Sequence, residues 1–145
     1  KEQALRFLHN SGFRVLRDRA IDVDGILHVV GVDDPARESQ SRDQRELELL
    51  QRKRSEFFTL LIKHRPSFTP QSAAHFDLQL SGHAHRGQIF PFNFLTALEY
   101  PYQDGLYTLP NAAHLYTSRG TGTWGPPMRV LAPPEIALIE VVTSR

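Results

Sequence analysis

Residues 57–66 read Phe57-Phe58-Thr59-Leu60-Leu61-Ile62-Lys63-His64-Arg65-Pro66, and residues 77–85 read Asp77-Leu78-Gln79-Leu80-Ser81-Gly82-His83-Ala84-His85. Each is a short apolar run that stops at a polar segment marked by proline or glycine, the pattern of a strand opening into a loop. The first run is continuous enough to read as a strand buried on both faces, as parallel strands are, and Pro66 bars its extension. His64 therefore stands at one strand end, and His83 and His85 stand at the next. Two histidines one residue apart in extended backbone project to the same side, so His83 and His85 can reach one ion or two adjacent ones. Neutral imidazole is the commonest metal-binding side chain, and α/β sheets place ligands beyond the carboxyl ends of their strands. An isolated His-x-His pair is more often a surface or packing feature. The placement of three histidines at successive strand ends is what sets this group apart.

Outward from these runs the chain alternates helical and extended segments. Residues Glu2–Asn10 carry Leu5 and Leu8 at helical spacing, with Gly12 at the stop position. Phe13, Val15, Ile21 and Val23 then fall in alternating apolar runs, Asp24-Gly25 is a hairpin turn signal, and residues 26–32 resume as a strand. This reads as an edge hairpin. From Asp33 to Arg54 the composition predicts a turn at Asp33-Asp34-Pro35 and then a surface helix with Leu47, Leu49 and Leu50 as its sizeable apolar residues. A short helix after Pro70, through Ala74, separates the two histidine-bearing strands. Residues 90–102 are aromatic without clear periodicity, with Tyr100 and Tyr102 among them, and read as cover for the core rather than as an exposed cluster that accepts lipid or another apolar partner. Residues 106–109, 114–118, 128–131 and 136–142 read as strands, giving a mostly β C-terminal segment. The predicted class is α/β, one layered sheet with flanking helices.

Composition limits the function classes. With 145 residues, 40% apolar, the chain can bury a core as a single domain. Its 17 basic and 16 acidic side chains leave a net charge of +1 and no long run of one sign, so there is no nucleic-acid-binding signature. The absence of cysteine excludes disulfides, thiolate metal sites and cysteine nucleophiles, leaving imidazole, carboxylate and carbonyl oxygen as metal donors. No stretch has the length of a membrane-spanning helix. The start Lys1-Glu2-Gln3 lacks an initiator Met and a signal-peptide core, and reads as a cut through a longer protein with a cytoplasmic or membrane-associated address.

The motifs Leu61-Ile62-Lys63-His64-Arg65-Pro66 and Leu80-Ser81-Gly82-His83-Ala84-His85, with Gly87-Gln88-Ile89, resemble the last two metal motifs of calcineurin-like metallophosphoesterases. The likeness runs upstream through residues 29–35 and downstream through Tyr116-Thr117-Ser118-Arg119-Gly120-Thr121-Gly122 to residues 133–138. It is nearest to a bacterial branch of small phosphodiesterase-like proteins, many of them membrane-associated through a segment this chain does not include. The resemblance implies the C-terminal half of a layered metallophosphoesterase β-sandwich, so that residues 1–145 form a single partial domain. It implies two divalent metal ions (Mn, Zn, Fe or Co), His64 and His83 on one and His85 on the other. The reaction implied is hydrolysis of a phosphodiester or phosphomonoester by a two-metal-activated hydroxide.

The family's Asp-x-His, Gly-Asp and Gly-Asn-His motifs, the last carrying its general-acid histidine, are not in this sequence. Asp33, Asp34 and Asp77 are poor substitutes, Asp33 and Asp34 being better read as a turn. The chain alone is therefore expected to be inactive, with partial or no metal occupancy, and to self-associate through apolar surface the missing half would cover. The alternative is a non-catalytic metal-binding or scaffold module of the same fold. Three further residues are candidate phosphoester contacts. Arg86 stands where the resembled branch commonly has glycine, and clamps phosphate or faces solvent; Arg119 and Gly120 lie in a glycine-rich return loop. Trp124, beside Gly125-Pro126-Pro127, is expected to anchor that loop by packing. His9, His28, His75 and His114 are assigned surface or structural roles.

Overall fold

The computed structural model describes residues 2–34, 40–53 and 56–142. Helix α1 (Glu2–Asn10) buries none of its side chains. β1 (Arg19–Val23) and β2 (Leu27–Gly31) form the expected hairpin, with Asp24 and Gly25 at φ 51 and 70°, the left-handed pair that matches strand twist in a tight turn. Then follow α2 (Gln40–Leu50), β3 (Phe58–Ile62), α3 (Pro70–Ala73), β4 (Leu78–Ser81), α4 (Asn93–Glu99), β5 (Gly105–Thr108) and β6 (His114–Thr117). Thr69 and Ser72 close a reciprocal capping box at the start of α3. Pro35 and Arg54, within the loop-and-helix segment read from sequence, lie outside the described residues.

The six strands form one sheet in the order β1-β2-β3-β4-β6-β5. Neighbours among β2, β3, β4 and β6 are parallel, and the outer strands β1 and β5 pair antiparallel at the two edges. Parallel pairing brings the carboxyl ends of four strands to one rim, so that the segments after Gly31, Ile62, Ser81 and Thr117 all emerge there. On one face Val30, Leu61 and Leu115, each 0% exposed, pack with Leu49 and Leu50 of α2 and with Phe76 and Leu109. Full burial of each such side chain contributes about 1.5–3 kcal/mol.

The other face is open, contrary to the expectation that β3 is buried on both sides. Ile62 is 45% exposed, and Leu16, Ile21, Val29, Ile62 and Leu80 line a trough of about 590 Å³. Among the described residues no helix packs into it, which is why the apolar run that predicted double burial keeps half its side chains near water. The accessible surface is 10054 Å² for a 16.5 kDa chain, against about 7,500 Å² for a compact protein of that mass.

The C-terminal segment also departs from expectation. Residues 128–131 contribute one bridge, Val130 to Ile89, rather than a strand, and residues 136–142 form no strand, with Ile136 and Leu138 90% and 88% exposed. β propensity is realised only against a neighbouring strand, and none of the described strands receives these residues. Residues 90–102, read as lacking periodicity, contain α4, and Phe92, Phe94 and Leu95 there are 56%, 62% and 63% exposed rather than covering the core. Tyr102 does pack against the core.

Candidate functional site

The loop that carries His64 is held from below by the next strand. Gln79, 0% exposed, donates from Nε2 to the carbonyls of Arg65 and Ser67, and the Ser81 hydroxyl donates to Arg65. The Gly82 N–H donates to the His64 carbonyl at 2.9 Å, tying the two histidine loops together at the rim. His64 Nε2 and His83 Nδ1 face each other at 2.9 Å, with ring planes crossed at 77°. The second nitrogen of His83 lies 3.1 Å from the Tyr100 hydroxyl. Burial, then the neighbouring His64 and Arg65, lower the His83 pKa below the ordinary imidazole value. The ring is thus neutral at pH 7, the form that binds a cation.

His85 is oriented from the opposite side. Its Nδ1 sits 3.0 Å from the Arg119 carbonyl and 3.0 Å from Arg129 Nη2. Both cannot be satisfied by one tautomer. Arg129 Nη2 also reaches the carbonyls of Arg119 and Gly120 at 2.9 and 3.2 Å and that of Gly122, so its two hydrogens have better acceptors than an imidazole. We therefore place the His85 proton on Nδ1, donating to Arg119, which leaves Nε2 with its lone pair. Burial lowers the His85 pKa, the carbonyl of Arg119 opposes it, and Arg129 adds to the lowering. Gly120 lies against this ring: a Cβ there would sit 3.7 Å from His85 Cε1.

The backbone between the two halves of the site is strained. His83, His85, Arg86 and Gln88 have φ of 68, 48, 52 and 54°, a left-handed cluster of non-glycine residues. Each costs roughly 1–2 kcal/mol, and such clusters recur where function fixes the chain. At Gly87 a side chain is excluded outright, since a Cβ would lie 2.3 Å from Asn93 Cα at the start of α4.

The three imidazoles line one cleft of about 850 Å³, together with Gln88, Ile89, Phe92, Leu95, Tyr100 and Trp124. They share a rim but not a point: among the described residues no three His, Asp or Glu side chains are grouped to hold one ion. Arg86 points to Asp104, Nε to Oδ2 3.6 Å, and Arg119 pairs through Nε and Nη2 with Glu135 at 2.7 and 2.6 Å. The carboxylates set aside from sequence are engaged elsewhere: Asp33 by Arg17, Asp34 by Arg65 and Asp77 by the Thr59 N–H. His28 is buried between Asp22 and the Leu49 carbonyl, a structural role as expected.

Trp124 corrects the packing-anchor reading, being 78% exposed. Its loop is held by its backbone, which exchanges hydrogen bonds with the Gln88 side chain. Tyr100, Arg129 and the role of Gln88 were missed from sequence. Only Gln88 carried a signal, as part of the quoted Gly87-Gln88-Ile89. A second pocket, of about 100 Å³, contains no imidazole and holds ion pairs such as Lys63–Glu46 at 2.8 Å.

No family model and no solved structure matches the chain. It is similar to an uncharacterised metallophosphoesterase of Aquifex aeolicus, 34% identical over 142 residues, covering 96% of this chain and 54% of that protein. An uncharacterised metallophosphoesterase of Helicobacter pylori is 36% identical over 144 residues, 97% of this chain and 39% of its own length. A Danio rerio transmembrane protein with metallophosphoesterase domain is 37% identical over 83 residues, 55% of this chain and 19% of its length. The chain thus spans from about two fifths to about half of the length of the first two relatives.

Proposed function

The chain belongs to the calcineurin-like metallophosphoesterase superfamily, and from that premise we propose that its rim of three imidazoles is the histidine side of a metal-dependent phosphoesterase site. The observation that carries this reading is the convergence of His64 Nε2 and His83 Nδ1 at 2.9 Å, with His85 in the same cleft. The ring nitrogens of His64 and His83, aimed at one place, fit a shared divalent cation, and His85 Nε2 is available to a second. A bound divalent ion supplies Lewis-acid polarisation of phosphoryl oxygens and acidification of water.

This chain's own residues orient the site. Tyr100 sets the rotation of His83 and the Arg119 carbonyl sets the tautomer of His85. Carboxylate ligands, which complete such sites, are not grouped with the histidines among the described residues, so the 145-residue chain by itself is expected to bind metal weakly and not to turn over. That same incompleteness favours the second reading, a metal-binding scaffold module without catalysis. The open apolar sheet face supports self-association of the isolated chain. The name of the Danio rerio relative supports a membrane-associated whole protein, although among the described residues no helix is long and apolar enough to cross a membrane.

The test is hydrolysis of an aryl phosphodiester by the full-length protein with Mn²⁺, beside Zn²⁺ calorimetry on wild type and His83→Ala. Loss of at least tenfold in both rate and affinity is expected. Equal rates and affinities for both proteins would remove the site, and metal binding without turnover would select the scaffold reading.

A further inference from the structure

We infer that the apolar wall beside the imidazoles is a leaving-group subsite, so that the phosphoester it takes carries an apolar alcohol, and that Gln88 is the positioning residue that builds this wall. The inference rests on the phosphoesterase reading of the same cleft and adds the class of substrate.

The first argument is the lining. Ile89, Phe92, Leu95, Trp124 and Pro126 are continuous with His64, His83 and His85 around about 850 Å³, a volume suited to a small organic ligand. Among the described residues no Lys, Arg, Asp or Glu lines this cleft. A leaving group bearing further phosphates or carboxylates would lose its hydration there with no countercharge to replace it. A hydrocarbon group would lose only unfavourable contact with water.

The second argument is Gln88. The residue is buried at 6% exposure although its backbone is left-handed, and both its amide hydrogens and its amide oxygen bond to one loop. Nε2 donates to the carbonyls of Trp124 and Pro126 at 2.7 and 3.2 Å, and Oε1 accepts from the Trp124 N–H at 2.5 Å. A buried amide holding both backbone groups of Trp124 across 36 residues fixes where the backbone that carries the indole runs beside the cleft. Yet Trp124 is 78% exposed, lining the cleft with little of its surface buried. Fixing an exposed aromatic side chain beside a site is explained if the ligand is what buries it.

Trp124 is the only tryptophan of the sequence, so its emission reports occupancy directly and independently of turnover. The experiment titrates the protein, in the presence of Zn²⁺, with ethyl, butyl, hexyl and octyl phosphate below their micelle concentrations. Full burial tightens binding about fourfold per methylene. Because this wall is partly open, octyl phosphate is expected to bind at least tenfold tighter than ethyl phosphate, with a blue shift of the emission. Leu95→Asn should bring the octyl-to-ethyl ratio below threefold. Gln88→Ala should do the same although Trp124 is still present, and it should lower the Trp124 emission anisotropy, separating loop positioning from general unfolding.

Equal affinity for ethyl and octyl phosphate with an unmoved emission would overturn the proposal. A steep ratio unchanged in both variants would overturn the assignment of the wall. Rates measured in parallel on phosphodiesters with the full-length protein, since this chain by itself is expected not to turn over, separate the two readings. Turnover with no dependence on leaving-group length sinks this inference alone. Length-dependent binding with no turnover sinks the catalytic reading and leaves the apolar subsite standing.

Discussion

Replacing Arg129 by Met removes the donors of one side chain and nearly nothing else, and so measures how much the loop around His85 depends on it. Arg129 reaches four backbone carbonyls: Arg119 at 2.9 Å, Gly120 at 3.2 Å, Ala132 at 3.1 Å and Gly122, the last through Nε at 3.1 Å as well as Nη2. The side chain is half-buried, so the released carbonyls regain some water, and each bond is worth about 0.5–1 kcal/mol rather than the larger figure for a buried charged donor. Four give about 2–4 kcal/mol. For a chain of this size that lowers the melting temperature by roughly 6–14 °C. The Arg119 carbonyl is also the partner of His85 Nδ1, so the loosened loop should weaken divalent-ion binding about 10- to 100-fold, as loss of an outer-shell partner does. Differential scanning calorimetry and Zn²⁺ calorimetry on Arg129→Met and Arg129→Lys would read both effects, with Lys intermediate because it keeps the charge but loses the fork. A melting temperature within about 2 °C of wild type, with unchanged Zn²⁺ affinity, would refute the reasoning.

Two further outcomes follow from the same region. The hydrogen bond between Tyr116 and Glu135, with burial, pushes the phenol up to about 12 from its ordinary 10.0, while the Tyr116 and Arg119 contacts outweigh burial and hold the Glu135 carboxyl below its usual value. The folded state therefore keeps a proton that the unfolded chain loses, so stability is full below pH 10 and falls between about 10 and 12. Tyr116→Phe should cost about 1–2 kcal/mol at pH 7 and flatten that alkaline slope, as urea titrations at pH 8 and 11 would show; an unchanged slope counts against the pairing. Arg86→Gly, at a left-handed position where the side chain makes a loose 3.6 Å contact with Asp104, should stabilise the protein by about 1 kcal/mol in urea unfolding. A destabilised variant would mean that Arg86 does more than occupy the turn.

The chemistry-bearing part of the fold was legible because it is local. An apolar run stopped by Lys63-His64-Arg65-Pro66, and another stopped by Ser81-Gly82, place three histidines at strand ends whatever the rest of the chain does, and β3 and β4 are neighbours with parallel register. The hairpin at Asp24-Gly25 was legible for the same reason: its signal is the backbone conformation of two residues. The tail was not. Residues 128–131 and 136–142 have the composition of strands, but composition cannot supply the neighbour against which a strand forms.

What the sequence alone determined is the kind of donor available and its position in order along the chain: imidazoles without thiolates, at the ends of two successive strands. Tertiary structure decided which nitrogen faces what. Only when parallel pairing brings the strand ends to one rim do His64 and His83 meet, and only the return of residues 119–132 across the cleft gives His85 its carbonyl partner and Trp124 its place. Those are contacts between residues tens of positions apart, set by packing and hydrogen-bond geometry in space, and no local pattern encodes them.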